Sequence, residues 1–104
     1  MEIRSIVCIA RKWFDKINGN TYHSVRIFLD GKHIGSIEGQ YGYSKQYLCT
    51  AMEILEKYFL KNEIIYPKQT YIDFFCQQYG IIYAEDLIKV FRKKDLKFNQ
   101  IDCV

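Results

Sequence analysis

Thr21-Tyr22-His23-Ser24-Val25-Arg26-Ile27-Phe28-Leu29-Asp30-Gly31 is the stretch that decides how this chain folds. Thr21, His23, Val25, Ile27 and Leu29 alternate with Tyr22, Ser24, Arg26 and Phe28, which is the two-residue period of a strand with two unlike faces. The Asp30-Gly31 pair that follows is a strong signal for a two-residue hairpin turn, because both residues tolerate positive φ. Toward the N-terminus, Asp15-Lys16-Ile17-Asn18-Gly19-Asn20 supplies a second turn, and Ile3 to Phe14 ahead of it is rich in Ile, Val and aromatics. Lys32 to Glu38 reads as a third strand, so the first third of the chain is an antiparallel three-stranded meander.

Beyond it, Gly39-Gln40-Tyr41-Gly42-Tyr43 breaks the strand and Ser44 stands where a helix cap is wanted. Leu48, Ala51, Met52, Leu55 and Phe59 then recur at helical spacing until roughly Leu60, a stripe suited to covering the apolar face of the sheet. Thr70-Tyr71-Ile72-Asp73 has the form of a capping box for a short helix through Phe74, Phe75 and Cys76, and Gly80 is placed to end it. Ile81-Ile82-Tyr83 suggests a short strand. Ala84-Glu85-Asp86 then places acids at the start of a further helix whose cations gather at its end. The tail from Leu96 to Val104 offers an edge strand, and the whole reads as one α+β domain over residues 1–104.

Hydrophobic residues at 49% and charged residues at 26% are ordinary globular usage, which leaves no stretch polar enough for a disordered linker. Nine Tyr, seven Phe and one Trp stand among 15 Lys and Arg, a composition suited to contact with protein or nucleic acid. A net charge of +3 is too modest to mark a nucleic-acid binder by itself. Cys8, Cys49, Cys76 and Cys103 form no C-x-x-C pair, so neither disulfides nor zinc is expected, and no cofactor motif is present. The N-terminus lacks the pattern of a signal peptide and no apolar run reaches membrane-spanning length, which leads us to expect a reduced, cytoplasmic protein without a membrane partner.

Catalytic constellations are hard to assemble from these residues. A Ser/His/Asp or Cys/His centre must use His23 or His33. Pairing across the Asp30-Gly31 turn sets His33 opposite Phe28 and His23 opposite Glu38, about 17 Å apart at strand rise, too far for a shared metal. Glu53 and Glu56 lie on the polar face of the main helix, near Lys57 and Lys45, and no Gly-rich loop follows a strand with phosphate-cradle spacing. A small enzyme acting through Cys or His would need a thiol of low pKa. Contact residues are easier to name. Arg11 and Trp13 of the first strand should neighbour Tyr22 and Arg26 of the second on one sheet face, unless the later helices cover it. Lys89, Arg92, Lys93, Lys94 and Lys97 set five cations against Asp95 alone, either a solvated helix end or a surface for phosphates or an acidic groove. Tyr41 and Tyr43, before the main helix, complete the candidates.

The strand order leading into a helix opened by Gly42-Tyr43-Ser44-Lys45-Gln46 resembles the later part of a double-stranded-RNA-binding domain, although that family has a helix before its strands and several lysines at its last helix. A closer likeness rests on Lys12-Trp13-Phe14-Asp15-Lys16-Ile17-Asn18-Gly19-Asn20-Thr21-Tyr22-His23-Ser24, then Tyr41-Gly42-Tyr43 and Lys93-Lys94-Asp95-Leu96-Lys97. These resemble a family of small accessory proteins carried by phages, prophages and plasmids, densely over the first half of the chain and patchily after Pro67. The resemblance implies a mobile-element protein with no enzyme activity, of the anti-CRISPR kind, that inhibits a host defence nuclease or ribonucleoprotein by binding the effector or its guide RNA. The rival expectation is a stand-alone RNA- or DNA-binding regulator, whose affinity would fall steeply with salt.

Overall fold

Two aspartates shape the meander. In the computed structural model, which describes residues 2–98, β1 (Ser5–Asp15) turns into β2 (Asn20–Leu29) and β2 into β3 (Lys32–Tyr41). At the first turn the Asp15 carboxylate accepts the Ile17 and Asn18 amides, and Gly19 takes φ +70°. At the second, Asp30 and Gly31 both have positive φ. The Asp30 carboxylate also accepts the Arg4 and Ser5 amides at 2.9 and 2.8 Å, which ties the turn to the start of β1. β1 and β2 run antiparallel in unbroken register from Ile6 opposite Leu29 to Asp15 opposite Asn20.

β3 is longer than its sequence suggests, because it continues through Gly39 to Tyr41. Two one-residue slips against β2 make this possible, and Gly39 adopts φ +68° near one of them, where its amide donates to the Ser24 hydroxyl. The slips leave His33 opposite Phe28 as expected but move His23 from Glu38 to Gln40.

α1 (Gln46–Lys61) lays Leu48, Ala51, Met52, Leu55 and Phe59 on the sheet, all buried. Ser44 does not cap it: Ser44 sits at φ +56°, and Lys45 occupies the cap position without a side-chain bond. α2 (Ile72–Tyr79) likewise starts from Tyr71 with no side-chain cap in place of the expected box at Thr70, while Gly80 ends it in the left-handed conformation as anticipated. Phe59, Tyr66, Phe75 and Tyr79 form a chain of rings, with centroids 4.6 to 5.8 Å apart, that joins the two helices.

The expected helix after Tyr83 is instead a strand. β4 (Ile82–Val90) lies parallel to β1, giving the sheet order β3-β2-β1-β4. Once β2 occupies one side of β1, the other side is a row of unpaired backbone groups, and a segment with Ile82, Tyr83, Ile88 and Val90 satisfies them. That tertiary demand overrides the local acid-then-cation pattern. A short 3-10 turn, Lys93–Leu96, follows. The edge strand expected from Leu96 onward is not seen as far as Phe98, and its remaining residues, 99–104, lie outside the described part of the chain. No helix among the described residues is long and apolar enough to cross a membrane.

Both helices cover one face of the sheet, where Ile6, Cys8, Ala10, Val25 and Ile27 meet them. The approach is closest at Gly35 of β3, where an added Cβ would lie 2.9 Å from Ile54 Cγ2 of α1. Gly35→Ala should therefore push α1 outward and lower the unfolding free energy by about 1–3 kcal/mol in urea titration, with the same slope against denaturant.

Candidate functional site

The face of the sheet away from the helices carries the candidate contact residues of β1 and β2. Register alone brings three rings into a row across three strands. Trp13 stands opposite Tyr22 and Tyr22 opposite Tyr41, with ring centroids 5.9 Å apart and stacked for the first pair, 5.7 Å apart and edge-on for the second. Tyr41 is 56% exposed, and Trp13 and Tyr22 are half-buried, so the row presents ring surface at one end of the sheet. Tyr43 is exposed on the loop before α1 and belongs to no ring pair among those resolved.

Arg11 and Arg26 have a different fate. The segment after β4 crosses this face as a strap. The Arg11 guanidinium donates to the backbone carbonyls of Asp95 and Lys97 at 3.1 and 2.8 Å, and the strap's own Leu96 is buried. Phe98 lies over the Arg26 guanidinium at 4.3 Å and the Arg11 guanidinium at 5.0 Å, and its amide donates to the Glu38 carboxylate. Arg26, with Phe28 on its other flank at 6.0 Å, is left 2% exposed. The face is thus covered at its middle, as the sequence allowed, but by the strap and not by the helices. Stacking of guanidinium on aromatic rings lets the charge be buried with less loss of hydration than an ammonium would suffer.

The basic run does not act as one surface. Strand alternation points Lys89 to the helix side, directly opposite Lys12 of β1, while Arg92, Lys93, Lys94 and Lys97 are exposed along the strap. Arg92 and Asp95 pair at 3.0 Å within the strap. Lys93 is near enough to Asp15 to help its hydrogen bonds with Asn18 hold that carboxyl below its ordinary range.

On the helix side, past the start of α1, an open cleft of about 460 Å³ is lined by Lys12, Phe14, Lys16, Thr21, Ser44, Lys89, Val90 and Phe91. Of these, Lys89 alone is a contact candidate from the sequence. The rest come together only because β4 lies beside β1, which sets Lys89 beside Lys12, 77 positions earlier in the chain.

The described thiols and both imidazoles are shielded or packed to differing degrees. Burial pushes Cys8 and Cys76 up to about 12 and raises Cys49, the direction opposite to that of a nucleophilic cysteine. Among the described residues no group of three or more His, Cys, Asp and Glu could hold a metal ion. His33 packs against Phe28, while His23 is fully buried, a role its strand position did not disclose. His23 Nδ1 donates to the Gly42 carbonyl at 3.1 Å, and in the neutral ring that burial favours Nε2 accepts the Thr50 hydroxyl proton at 2.6 Å, which joins β2 to the Gly42-Tyr43 loop and to α1. No family model matches the chain, and neither a curated protein nor a solved structure matches it.

Burial holds the His23 imidazole below its ordinary value, with the hydrogen bond to the Gly42 carbonyl opposing that effect, Lys12 adding to it and Glu53 opposing it. The unfolded chain therefore takes up a proton more readily than the folded one, and stability is full above the ordinary value near 6.5 and declines as pH falls below it. Thermal unfolding followed between pH 7.5 and 5 should show a falling midpoint in the native protein and a flatter profile in His23→Gln.

Proposed function

We propose that this protein is a non-enzymatic binding protein that engages single-stranded RNA, in the setting of a host defence ribonucleoprotein whose guide RNA it occupies and whose activity it thereby inhibits. The observation that carries the reading is the Trp13-Tyr22-Tyr41 row at the end of the sheet face that the strap leaves partly open. Rings fixed on a sheet stack on bases of any sequence, and the exposed Arg92, Lys93, Lys94 and Lys97 of the adjoining strap supply attraction to phosphate. The likeness of the Lys12–Ser24 motif to mobile-element accessory proteins supports the defence setting, and the raised thiols support a role without covalent chemistry. Arg11 and Arg26 drop out of the contact set, because the strap already holds them.

Trp13 is the single tryptophan, so its fluorescence reports directly on the row. A labelled single-stranded RNA of about a dozen nucleotides should quench Trp13 and bind more weakly as salt rises. Tyr22→Ala and Tyr41→Ala should each weaken binding by about 1–3 kcal/mol, the usual worth of one base stacked on a ring. RNA that leaves Trp13 unquenched, with a nuclease-resistant complex recovered from cells expressing a defence effector, would assign the row to a protein partner and overturn the RNA reading.

A further inference from the structure

The cleft at the open end of the helix side is chemically distinct from the aromatic row and faces the other way. Three lysines line it, Lys12, Lys16 and Lys89, and among the described residues no carboxylate does. Lys12 and Lys89 are direct cross-strand neighbours, an arrangement of like charges that opposes sheet pairing until an anion lies between them. Lys12 is held in place: its ammonium donates to the Ser44 carbonyl and lies 5.0 Å from the Tyr47 ring. Burial, and then the charge of Lys89, keep that ammonium below its ordinary value, with the Glu85 carboxylate opposing them.

The remaining lining narrows the anion. Phe14 is 54% exposed and Phe91 is 93% exposed, and both border the cleft, as do Val90 and the hydroxyl-bearing Thr21 and Ser44. Ammonium groups, hydroxyls and ring faces in one cleft of about 460 Å³ match, in turn, a phosphate, sugar hydroxyls and a planar base. The geometry points to a binding site for a nucleoside phosphate, its phosphate held by Lys12, Lys16 and Lys89 and its base against Phe14 and Phe91. The ligand is either a free nucleotide or the phosphorylated end of a nucleic-acid strand.

AMP and adenosine, titrated against the native protein by calorimetry and by thermal unfolding, give the first reading. AMP should bind at least about tenfold more tightly than adenosine and raise the unfolding midpoint, because phosphate contacts from several ammonium groups are lost in adenosine. Lys89→Gln, at an exposed position, should abolish most of that difference, and Lys16→Gln should reduce it. Tyr41→Ala, on the opposite face, should leave it intact, which keeps this test independent of the RNA reading. A 5′-phosphorylated RNA oligonucleotide compared with its 5′-hydroxyl form completes the set: a gain dependent on Lys89 there, and not with AMP, assigns the cleft to strand ends, while the AMP result assigns it to free nucleotide. Equal binding of AMP and adenosine together with equal binding of the two oligonucleotides, or gains that survive Lys89→Gln, would overturn the proposal.

Discussion

Asp15 and Asp30 hold the two ends of the β1–β2 pair, and the register they fix decides which side chains meet the helices and which do not. A slip of one residue would turn every side chain of a strand to the other face, carrying Val25 and Ile27 out of the core and Arg26 and Ser24 into it. Asp30 does more than turn the chain. By accepting the Arg4 and Ser5 amides it also fixes where β1 begins, and from Ser5 onward β1 is the template for β4. Both candidate surfaces inherit their geometry from β1 and its neighbours: the ring row exists because Trp13 stands opposite Tyr22 of β2, and the lysine cleft exists because Lys12 stands opposite Lys89 of β4.

The two faces of the sheet are closed by different means. On one, helices bury apolar side chains, and the buried polar residues there, His23 and Thr50, are bonded to each other, with the second ring nitrogen of His23 bonded to Gly42. On the other, a cation is buried instead: Arg26 lies between Phe98 and Phe28, and Arg11 is anchored to strap carbonyls. A short strap has few apolar side chains with which to cover a sheet, Leu96 being the buried one. Guanidinium-ring stacking and backbone hydrogen bonds supply directional contacts that compensate for the small area.

Local pattern was enough for the meander, the main helix and the Gly80 stop, since alternation, helical spacing and turn residues agree there. It failed where a distant backbone made the decision. Ala84-Glu85-Asp86 followed by cations favours a helix in isolation, yet β1 offers an unpaired edge that the segment fills as β4, and Glu85 then accepts hydrogen bonds from Tyr47 and Tyr83 in place of capping anything. The same limit applies to the sites. Trp13 beside Tyr22 followed from hairpin pairing, but Tyr41 joined the row only because two slips and a left-handed Gly39 extend β3 past the predicted break. Burial of Arg26 under Phe98 spans 72 positions and left no trace in local sequence.

Both surfaces gather at the same end of the sheet for a geometric reason. α1 begins only at Gln46, after the Tyr41-Gly42-Tyr43 loop, so Lys12 and Phe14 of β1 point to the helix side with only the helix start above them, where the row Ile6, Cys8, Ala10 is fully covered. On the reverse, the strap is anchored at Arg11 and Arg26 and leaves the ring row at Trp13, Tyr22 and Tyr41 partly open. The β1–β2 hairpin therefore projects beyond both coverings, with rings on one side and lysines on the other. Trp13 and Lys12 are adjacent in the chain and point to opposite sides, so a polymer of bases and phosphates that rounds this edge would meet both. Under the reading we propose, a strand that presents stacked bases to one side and a charged terminus to the other would complement this end of the sheet, a combination a flexible nucleic-acid end offers more readily than a globular protein surface.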